Sequence, residues 1–428
     1  MISPVPPICA IADDFTGATD LAALLARSGY PVSLRLGLPD KDEPVAHVSG
    51  IEIIALKIRT VPRETAVTQA LAACDWLKQR GLSKLYWKYC STFDSTADGN
   101  IGPVAEALMR AMAAEQTIYC PAFPENGRTV FMGHLFVGDR LLSDSPMKDH
   151  PLTPMRDANL LRILAPQLEG QVGLVNRLTI AEGVKSVQAA VAALKARGVA
   201  HVVMDAVADA DLATIATATL GLPLLTGGSA LAMPLPALLH AQGLLQAKSN
   251  PAAPPDLGAG QIVLSGSCSA MTLKQVAAFE DHAQSYRLDP IRLAQPNGIR
   301  AVTQWLQTVP LTAPKLIYAS ADATSVKAAQ AALGAERAGQ IVEQALAEIA
   351  VAAFALGIRR FVVAGGETSG AVAQALGIAK LRVGREIAPG VPWTYATTQG
   401  ASVALALKSG NFGAPSFFRD ALNMLEAG

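Results

Sequence analysis

The chain lacks net charge: over 428 residues, 35 Lys and Arg balance 35 Asp and Glu. That balance gives no field to gather nucleic acid or an anionic membrane, and it points to small-molecule partners. Cysteine is scarce and unpatterned. Cys9, Cys74, Cys90, Cys120 and Cys268 are odd in number and include no CxxC pair, which argues against zinc or a redox motif and for reduced thiols in a cytoplasmic protein. His47, His201, His240 and His282 stand alone without ligand spacing, so they read as structural or surface residues. Met1-Ile-Ser-Pro-Val-Pro-Pro7 has no basic region and is not read as a secretory signal. The stretch 212–239 carries no charge and is long enough to cross a bilayer, but Gly221, Pro223, Gly227, Gly228, Pro234 and Pro236 interrupt it. It reads instead as a helix, a buried strand over 222–225, a glycine turn and a short helix.

What is present is a long, half-apolar chain, too large for one ordinary core. Residues 247–260 are rich in proline and glycine and show no apolar periodicity, so they divide residues 1–246 from 261–428. Before that linker, apolar strands are expected over 8–12, 51–56, 85–89, 117–119 and 202–204; after it, over 262–264, 316–319 and 361–364. Strands apolar throughout and separated by helical stretches indicate two α/β domains with mainly parallel sheets covered by helices. Ligands bind such sheets at the carboxyl ends of the strands. The segment 120–155 is polar, rich in proline and glycine, and too long for an ordinary connection. It is expected to be a functional loop whose Arg128, His134, Lys148, Asp149 and His150 can close over a small anion.

The residues following the strands carry the chemistry. Ile11-Ala-Asp13-Asp14-Phe-Thr16-Gly17-Ala-Thr19-Asp20 puts adjacent acids at a helix entrance, where one can cap and the other can bind hydroxyls, hold a metal or act as a base. Lys57, Arg59 and Lys88 follow neighbouring strands, and Arg59 is suited to a bidentate grip on a substrate carboxylate. Asp94, Asp98 and Asn100 can hold hydroxyls or cap a helix from Pro103. Phe361-Val-Val-Ala-Gly365-Gly366-Glu367-Thr368-Ser369-Gly370 reads as strand, tight turn and helix start, a backbone cradle suited to phosphate. It matches neither GxGxxG nor GxxxxGK[ST]. Leu225-Thr-Gly-Gly-Ser-Ala230 echoes it too faintly to be a repeat. Leu264-Ser265-Gly-Ser-Cys-Ser269 and Lys408-Ser-Gly410-Asn-Phe-Gly413 are similar turns, although Ser265 to Ser269 can equally be capping serines.

Together with Lys88-Tyr-Cys-Ser-Thr-Phe-Asp-Ser-Thr96, Cys120 to His134 and His150-Pro-Leu-Thr-Pro-Met155, these motifs closely resemble the four-carbon acid sugar kinase family over nearly the whole chain, most nearly its 3-oxo-tetronate branch. The resemblance implies an N-terminal acid-sugar domain, a C-terminal ATP domain, an active site in the cleft between them, and transfer of the γ-phosphate to the terminal hydroxyl of 3-oxo-tetronate. It implies ATP contacts at Ser265, Glu367, Thr368, Ser369, Gly370 and Gly410. Asp13, Asp14, Arg59 and Lys88 are the choices for the sugar, with Asp14 and then Asp13 as candidate base. Mg²⁺ is expected with the nucleotide because phosphoryl transfer needs charge neutralised, while the metal ligands are not assigned. Threonate and erythronate kinases tend to carry Lys-Ile-Asp-Ser-Thr-Leu-Arg-Gly-Asn where this chain has 88–96, a departure that makes D-threonate or D-erythronate kinase the second reading. A non-catalytic two-domain binding protein for sugar acids is the alternative from another class. A lyase would leave the second domain's glycine turns unexplained. The expected partners are the acid sugar and ATP, with no nucleic acid or membrane, and a homo-oligomer is left open.

Overall fold

A computed structural model describes residues 8–41, 50–149, 153–245 and 254–426. The N-terminal heptapeptide, His47, His150 and residues 247–253 of the expected linker lie outside the described residues. The chain divides into two compact units, Met1–Asn250 and Pro251–Gly428.

The strands of unit 1 are β1 (Cys9–Ala12), β2 (Val32–Leu36), β3 (Ile51–Ala55), β4 (Leu85–Lys88), β5 (Thr117–Cys120), β6 (Arg128–Phe131), β7 (His134–Val137), β8 (Arg140–Leu141), β9 (Val172–Val175), β10 (His201–Met204) and β11 (Leu224–Gly227). Eight of them form a parallel array in the order β2-β3-β1-β4-β11-β5-β10-β9. Helices between successive strands cover its faces, which is why β1, β3, β4, β5, β10 and β11 are buried along their whole length. β1 lies where the order changes direction, with β2 and β3 on one side and β4 on the other, the place where such sheets open a crevice.

The segment expected as a long loop folds differently. Its residues build a separate antiparallel sheet, β6-β7-β8, with Phe131 opposite His134. The turn between them needs positive φ at both central residues, and Met132 (49°) and Gly133 (73°) supply it. The buried Asp205 carboxylate holds this turn by accepting from the Met132 and Gly133 N–H groups at 2.6 and 2.9 Å. The uncharged stretch resolves into helix Asp209–Thr219, β11, a 3₁₀ turn and helix Leu235–Ala241, with the strand two residues later than expected.

Unit 2 contains β12 (Gln261–Ser265), β13 (Gln284–Arg287), β14 (Lys315–Tyr318), β15 (Arg360–Ala364), β16 (Lys380–Ala388), β17 (Val391–Thr398) and β18 (Ala401–Lys408), in the order β13-β14-β12-β15-β18-β17-β16. The first five in that order run parallel, whereas β16, β17 and β18 form an antiparallel meander that the strand-helix reading did not anticipate. Two-residue turns, Pro389-Gly390 and Gln399-Gly400, join the meander. The C-terminal helix Phe417–Glu426 packs Phe418, Ala421 and Leu422 into the core, and Trp393 Nε1 donates to the Ala421 carbonyl at 3.0 Å. Helix Ala335–Ala355 is long and apolar enough to cross a membrane, but it buries Ala345, Leu346, Ile349, Ala350 and Ala353 within this unit and packs on helix Gly366–Ala375.

His201 begins β10 and is 3% exposed, with Nδ1 3.0 Å from the Tyr119 hydroxyl. Burial pushes its imidazole down to about 4, although Glu106 lies 3.5 Å from Nε2. The unfolded chain takes up its proton near pH 6.5 and the folded chain only near 4, so the contribution of neutral His201 is full above pH 6.5 and is lost as pH falls towards 4. Between pH 7.5 and 5 the wild type should therefore lose about 2 kcal/mol relative to His201→Gln, read from urea midpoints. An unchanged difference would mean that the native imidazole takes up its proton at the same pH as in the unfolded chain.

Candidate active site

The end of β1 carries a compact charged cluster. The Asp13 N–H donates to the Lys88 carbonyl and its carbonyl accepts from the Ile58 N–H, both at 3.0 Å, so the ends of β4, β1 and β3 are tied together. Asp13 is 3% exposed, and its carboxylate accepts from Arg59 Nε at 2.8 Å and Nη2 at 2.9 Å. Arg59 Nη2 also lies 2.7 Å from Asp14 Oδ1, and Nη1 lies 3.7 Å from Asp94 Oδ2. The guanidinium edge expected to grip a substrate carboxylate is thus occupied by Asp13. Asn100, expected as a cap or hydroxyl ligand, serves Arg59 instead. Its amide donates to the carbonyls of Ile58 at 2.9 Å and Val61 at 2.8 Å, fixing the loop that carries the guanidinium. The following helix begins at Ile101 rather than Pro103, and Asp98 is exposed in the loop before it.

Asp14 is the N-cap of helix Phe15–Ala26, accepting from the Gly17 N–H at 2.9 Å and the Thr16 hydroxyl at 2.9 Å. Gly17 makes room for this: a Cβ there would lie 2.3 Å from Asp14 Oδ1 and 2.9 Å from Lys88 Nζ. Lys88 is 2% exposed and donates to the Tyr89 carbonyl at 2.8 Å. These surroundings separate the two acids. Burial raises the Asp13 carboxyl, and the Arg59 charge does not fully offset it. Burial acts on Asp14 as well, but Arg59, Lys88 and the bonds from Thr16 and Gly17 outweigh it and hold that carboxyl below its usual range. A relay of short bonds extends the cluster. The Cys90 thiol lies 2.9 Å from the Thr92 hydroxyl, which donates to Asp94 Oδ1 at 2.6 Å, and burial together with Asp94 pushes the thiol up to about 12.

Arg128 and His134 find partners in their own segment, at the Asn126 and Met132 carbonyls respectively, and Lys148 and Asp149 sit on a short 3₁₀ turn. The paired glycines of the faint echo also differ in use. Gly227 and Gly228 let β11 approach the Cys120 and Pro121 carbonyls, where a Cβ would lie at 2.6 and 2.7 Å.

In unit 2, β12, β15 and β18 are neighbours, so their three glycine turns meet at one sheet edge. The turns are linked by backbone bonds. Gly266 and Ser267 donate to the Ala364 carbonyl at 3.0 and 3.2 Å, and Gly365 donates to the Lys408 carbonyl at 2.9 Å. Gly365 has φ of 125°, a conformation that side chains disfavour, and a Cβ on Gly410 would lie 2.7 Å from Ser267 Oγ. Above the turns opens a cavity of about 740 Å³. Gly266, Ser267, Cys268, Gly365, Gly366 and Gly410 line one end, Ala329, Ala338, Gly339 and Val342 an apolar wall, and Arg287, Asp289 and Glu343 a charged edge. Size, an apolar wall and a few convergent polar groups suit a small-molecule site. The ten-residue helix Gly366–Ala375 starts at this cavity, and a helix N-terminus is a favourable end for an anion.

Of the expected nucleotide contacts, Glu367, Thr368 and Gly410 line the cavity, whereas Ser265, Ser369 and Gly370 do not. Ser265 is fully buried with its hydroxyl 2.8 Å from that of Ser320, and Ser269, not Ser265, caps helix Ala270–Phe279. Arg287 and Asp289 were missed because β13 is a half-exposed edge strand, Gln-Ser-Tyr-Arg, with no apolar run to announce it, and Glu343 because it lies within helix Ala335–Ala355, away from any strand end. Applying the carboxyl-end rule to β13 would have found the first two.

Residues 8–235 match a sugar-binding N-terminal domain family and residues 262–418 a nucleotide-binding C-terminal domain family. The chain is 50% identical over 423 residues to a 3-oxo-tetronate kinase of Cupriavidus necator, covering 98% of this chain and 97% of the relative. It is 49% identical to a 3-oxo-tetronate kinase of Burkholderia multivorans, covering 98% of each. A crystal structure from Salmonella typhimurium LT2, under the provisional label tRNA synthase, is 42% identical with a TM-score of 0.83 and covers 97% of this chain and 98% of its own. One from Haemophilus influenzae is 40% identical with a TM-score of 0.75, covering 97% and 99%. With likeness of this degree along its full length to 3-oxo-tetronate kinases, the chain belongs to the four-carbon acid sugar kinase family.

Proposed function

We propose that this chain is an ATP-dependent kinase that phosphorylates the terminal hydroxyl of 3-oxo-tetronate, giving 3-oxo-tetronate 4-phosphate. The observation that carries this reading is the near-complete coverage, at about half identity, of relatives bearing that activity in their names. Residues 1–246 bind the acid sugar and residues 261–428 bind ATP, joined by the 247–260 linker. The charged cluster after β1 is the acid-sugar site, and the cavity of unit 2 is the nucleotide site. Such an enzyme works in the cytoplasm, where ATP is supplied.

Phosphoryl transfer calls mainly for in-line positioning and for neutralising charge on the transferring group. Asp14 is the general base: Arg59 and Lys88 keep it ionised, ready to accept the proton as the hydroxyl oxygen bonds to the γ-phosphorus and the bond to the β-phosphate oxygen breaks. Asp13 keeps Arg59 in place, and Lys88 supplies positive charge for the substrate carboxylate. Glu367, Thr368 and Gly410 contact the nucleotide. Among the described residues no group of three His, Cys, Asp or Glu forms a ready metal cage. Mg²⁺ usually keeps its waters and arrives on phosphates with one or two carboxylates, so it needs no such cage. Asp289, Glu343 and Glu367 are the carboxylates lining the cavity that would hold it. When bound, the ion neutralises phosphate charge.

Asp14→Asn should lower kcat by about 10²- to 10⁴-fold in a protein that still folds, since Asn is as good a helix cap as Asp, while the charge facing Arg59 is lost along with proton acceptance and lowers the melting temperature somewhat. Wild-type turnover would remove Asp14 from the mechanism. Cys268 is the one exposed thiol of the five and lines the cavity, so an alkylating reagent should modify it first and ATP should slow the reaction. Modification at the same rate with saturating ATP would mean the nucleotide binds elsewhere. The substrate is settled by kcat/KM for 3-oxo-tetronate, D-threonate and D-erythronate with ATP and Mg²⁺, with the oxo acid expected to be clearly preferred. A site built for a carbonyl leaves the extra hydroxyl hydrogen of an aldonate without a partner. Preference for either aldonate would support the second reading, and no ADP release with any acid would support a binding protein.

A further inference from the structure

Lys408 ends β18 and is fully buried, a costly place for an ammonium group. Its donors go to neutral oxygens: the Thr272 hydroxyl at 3.2 Å, the Ser409 carbonyl at 2.9 Å and the Gly410 carbonyl at 2.8 Å. Thr272 itself donates to the Gly410 carbonyl at 2.7 Å. On the far side of the same turn, Gln275 donates to the carbonyls of Phe412 at 2.9 Å and Ala414 at 3.0 Å. The Lys408 carbonyl meanwhile accepts from the Gly365 N–H at 2.9 Å. One residue therefore joins the turn after β15 to the turn after β18, and Gly365 and Gly410 of those turns both line the cavity.

A cation surrounded by dipoles in a poorly polarisable interior is felt strongly nearby, and an anion in the adjoining cavity would complement it. We propose that Lys408 is the buried counter-charge and positioning residue for the nucleotide's phosphates, acting from beneath the Gly410 turn in a chain that has no phosphate-loop lysine. The proposal rests on the reading of the unit 2 cavity as the ATP site. Burial pushes the Lys408 amine down to about 7, so in the empty protein near neutral pH the charge is only partly formed. The charged side chains on the elements around it are Lys274 on helix Ala270–Phe279, Glu367 on helix Gly366–Ala375, Arg360 at the opposite end of β15, and Arg419 and Asp420 on the C-terminal helix. β17 carries none. Phosphates entering the cavity favour the ammonium, so nucleotide binding should draw a proton onto Lys408.

The test is calorimetry on the full chain at pH 8, where the nucleotide's own phosphates no longer titrate. ATP and adenosine are titrated into wild type and Lys408→Met, in two buffers of different ionisation enthalpy. Lys408→Met should bind ATP about 10- to 100-fold more weakly while adenosine binding is unchanged, the scale of one charge-assisted contact. Wild type should take up protons with ATP and the variant should not. Should Lys408→Met fail to fold, Thr272→Val and the wild-type proton count carry the test, with ATP again weakened more than adenosine. Equal weakening of both ligands would reduce Lys408 to a structural clamp, and wild-type ATP affinity in the variant or the absence of proton uptake would likewise overturn the proposal. Wild-type protein that binds no ATP would overturn the nucleotide reading itself, and the inference with it.

Discussion

The ion pair of Arg59 with Asp13 fixes every other charge at the end of β1. Its Nε and Nη2 hold Asp13, Nη2 reaches Asp14, and Nη1 faces Asp94, so one guanidinium organises three carboxylates contributed from two strand ends. Asp13 is buried and Arg59 partly so, and deleting either would leave uncompensated charge; the buried Asn100 supports the pair through its bonds to the loop backbone. Without that clamp two adjacent acids could not both stay close to ionised at a helix start. The arrangement lets one carboxylate be an anchor and its neighbour remain chemically available.

Buried cations are used differently in unit 2. Lys315, at the start of β14, donates to the carbonyls of Pro310, Leu311 and Ala313 at 2.8, 3.1 and 2.8 Å. Lys408 does the same at the end of β18. Each gathers carbonyls of an irregular turn that no sheet ladder reaches, adding a second donor to some that already accept another bond, as the Gly410 carbonyl does from Thr272. The difference is location. Lys315 braces the amino-terminal edge of the sheet, whereas Lys408 stands under the cavity.

Strands that are apolar from end to end were legible, because burial on both faces writes itself directly into sequence. β2 was not, because its buried Ser33 and Arg35 break the run. Arg35 is tolerated there only through its ion pair with Glu52 and its position over the Trp76 ring, 4.9 Å from its centroid. β13 and β16 were hidden by exposed polar positions, β17 by buried threonines, and β17 and β18 by turns whose chemistry was not weighed. The candidate residues of unit 1 were legible as a set, since Asp13, Asp14, Arg59 and Lys88 all follow strands. That Arg59 would face Asp13 rather than a ligand was not, because the two are 46 positions apart and only the register of β1 with β3 joins them. Ser265 shows the reverse limit. Its neighbours suggested a ligand contact, yet a strand's last side chain points to one face or the other, and here it faces Ser320.

The placement of β11 between β4 and β5 bears on synthesis. Leu224 pairs with Leu85, and Gly227 with both Lys88 and Cys120. A ribosome that has finished β1, β3 and β4, and with them all of Asp13, Arg59 and Lys88, must still make well over a hundred residues before the strand that completes the middle of the array exists. Until then β4 and β5 present open edges flanked by apolar side chains, the state in which nascent chains are most prone to mispair. The parallel array of unit 1 thus closes late, once Gly227 has been made, whereas the meander of unit 2 pairs strands that are adjacent in sequence.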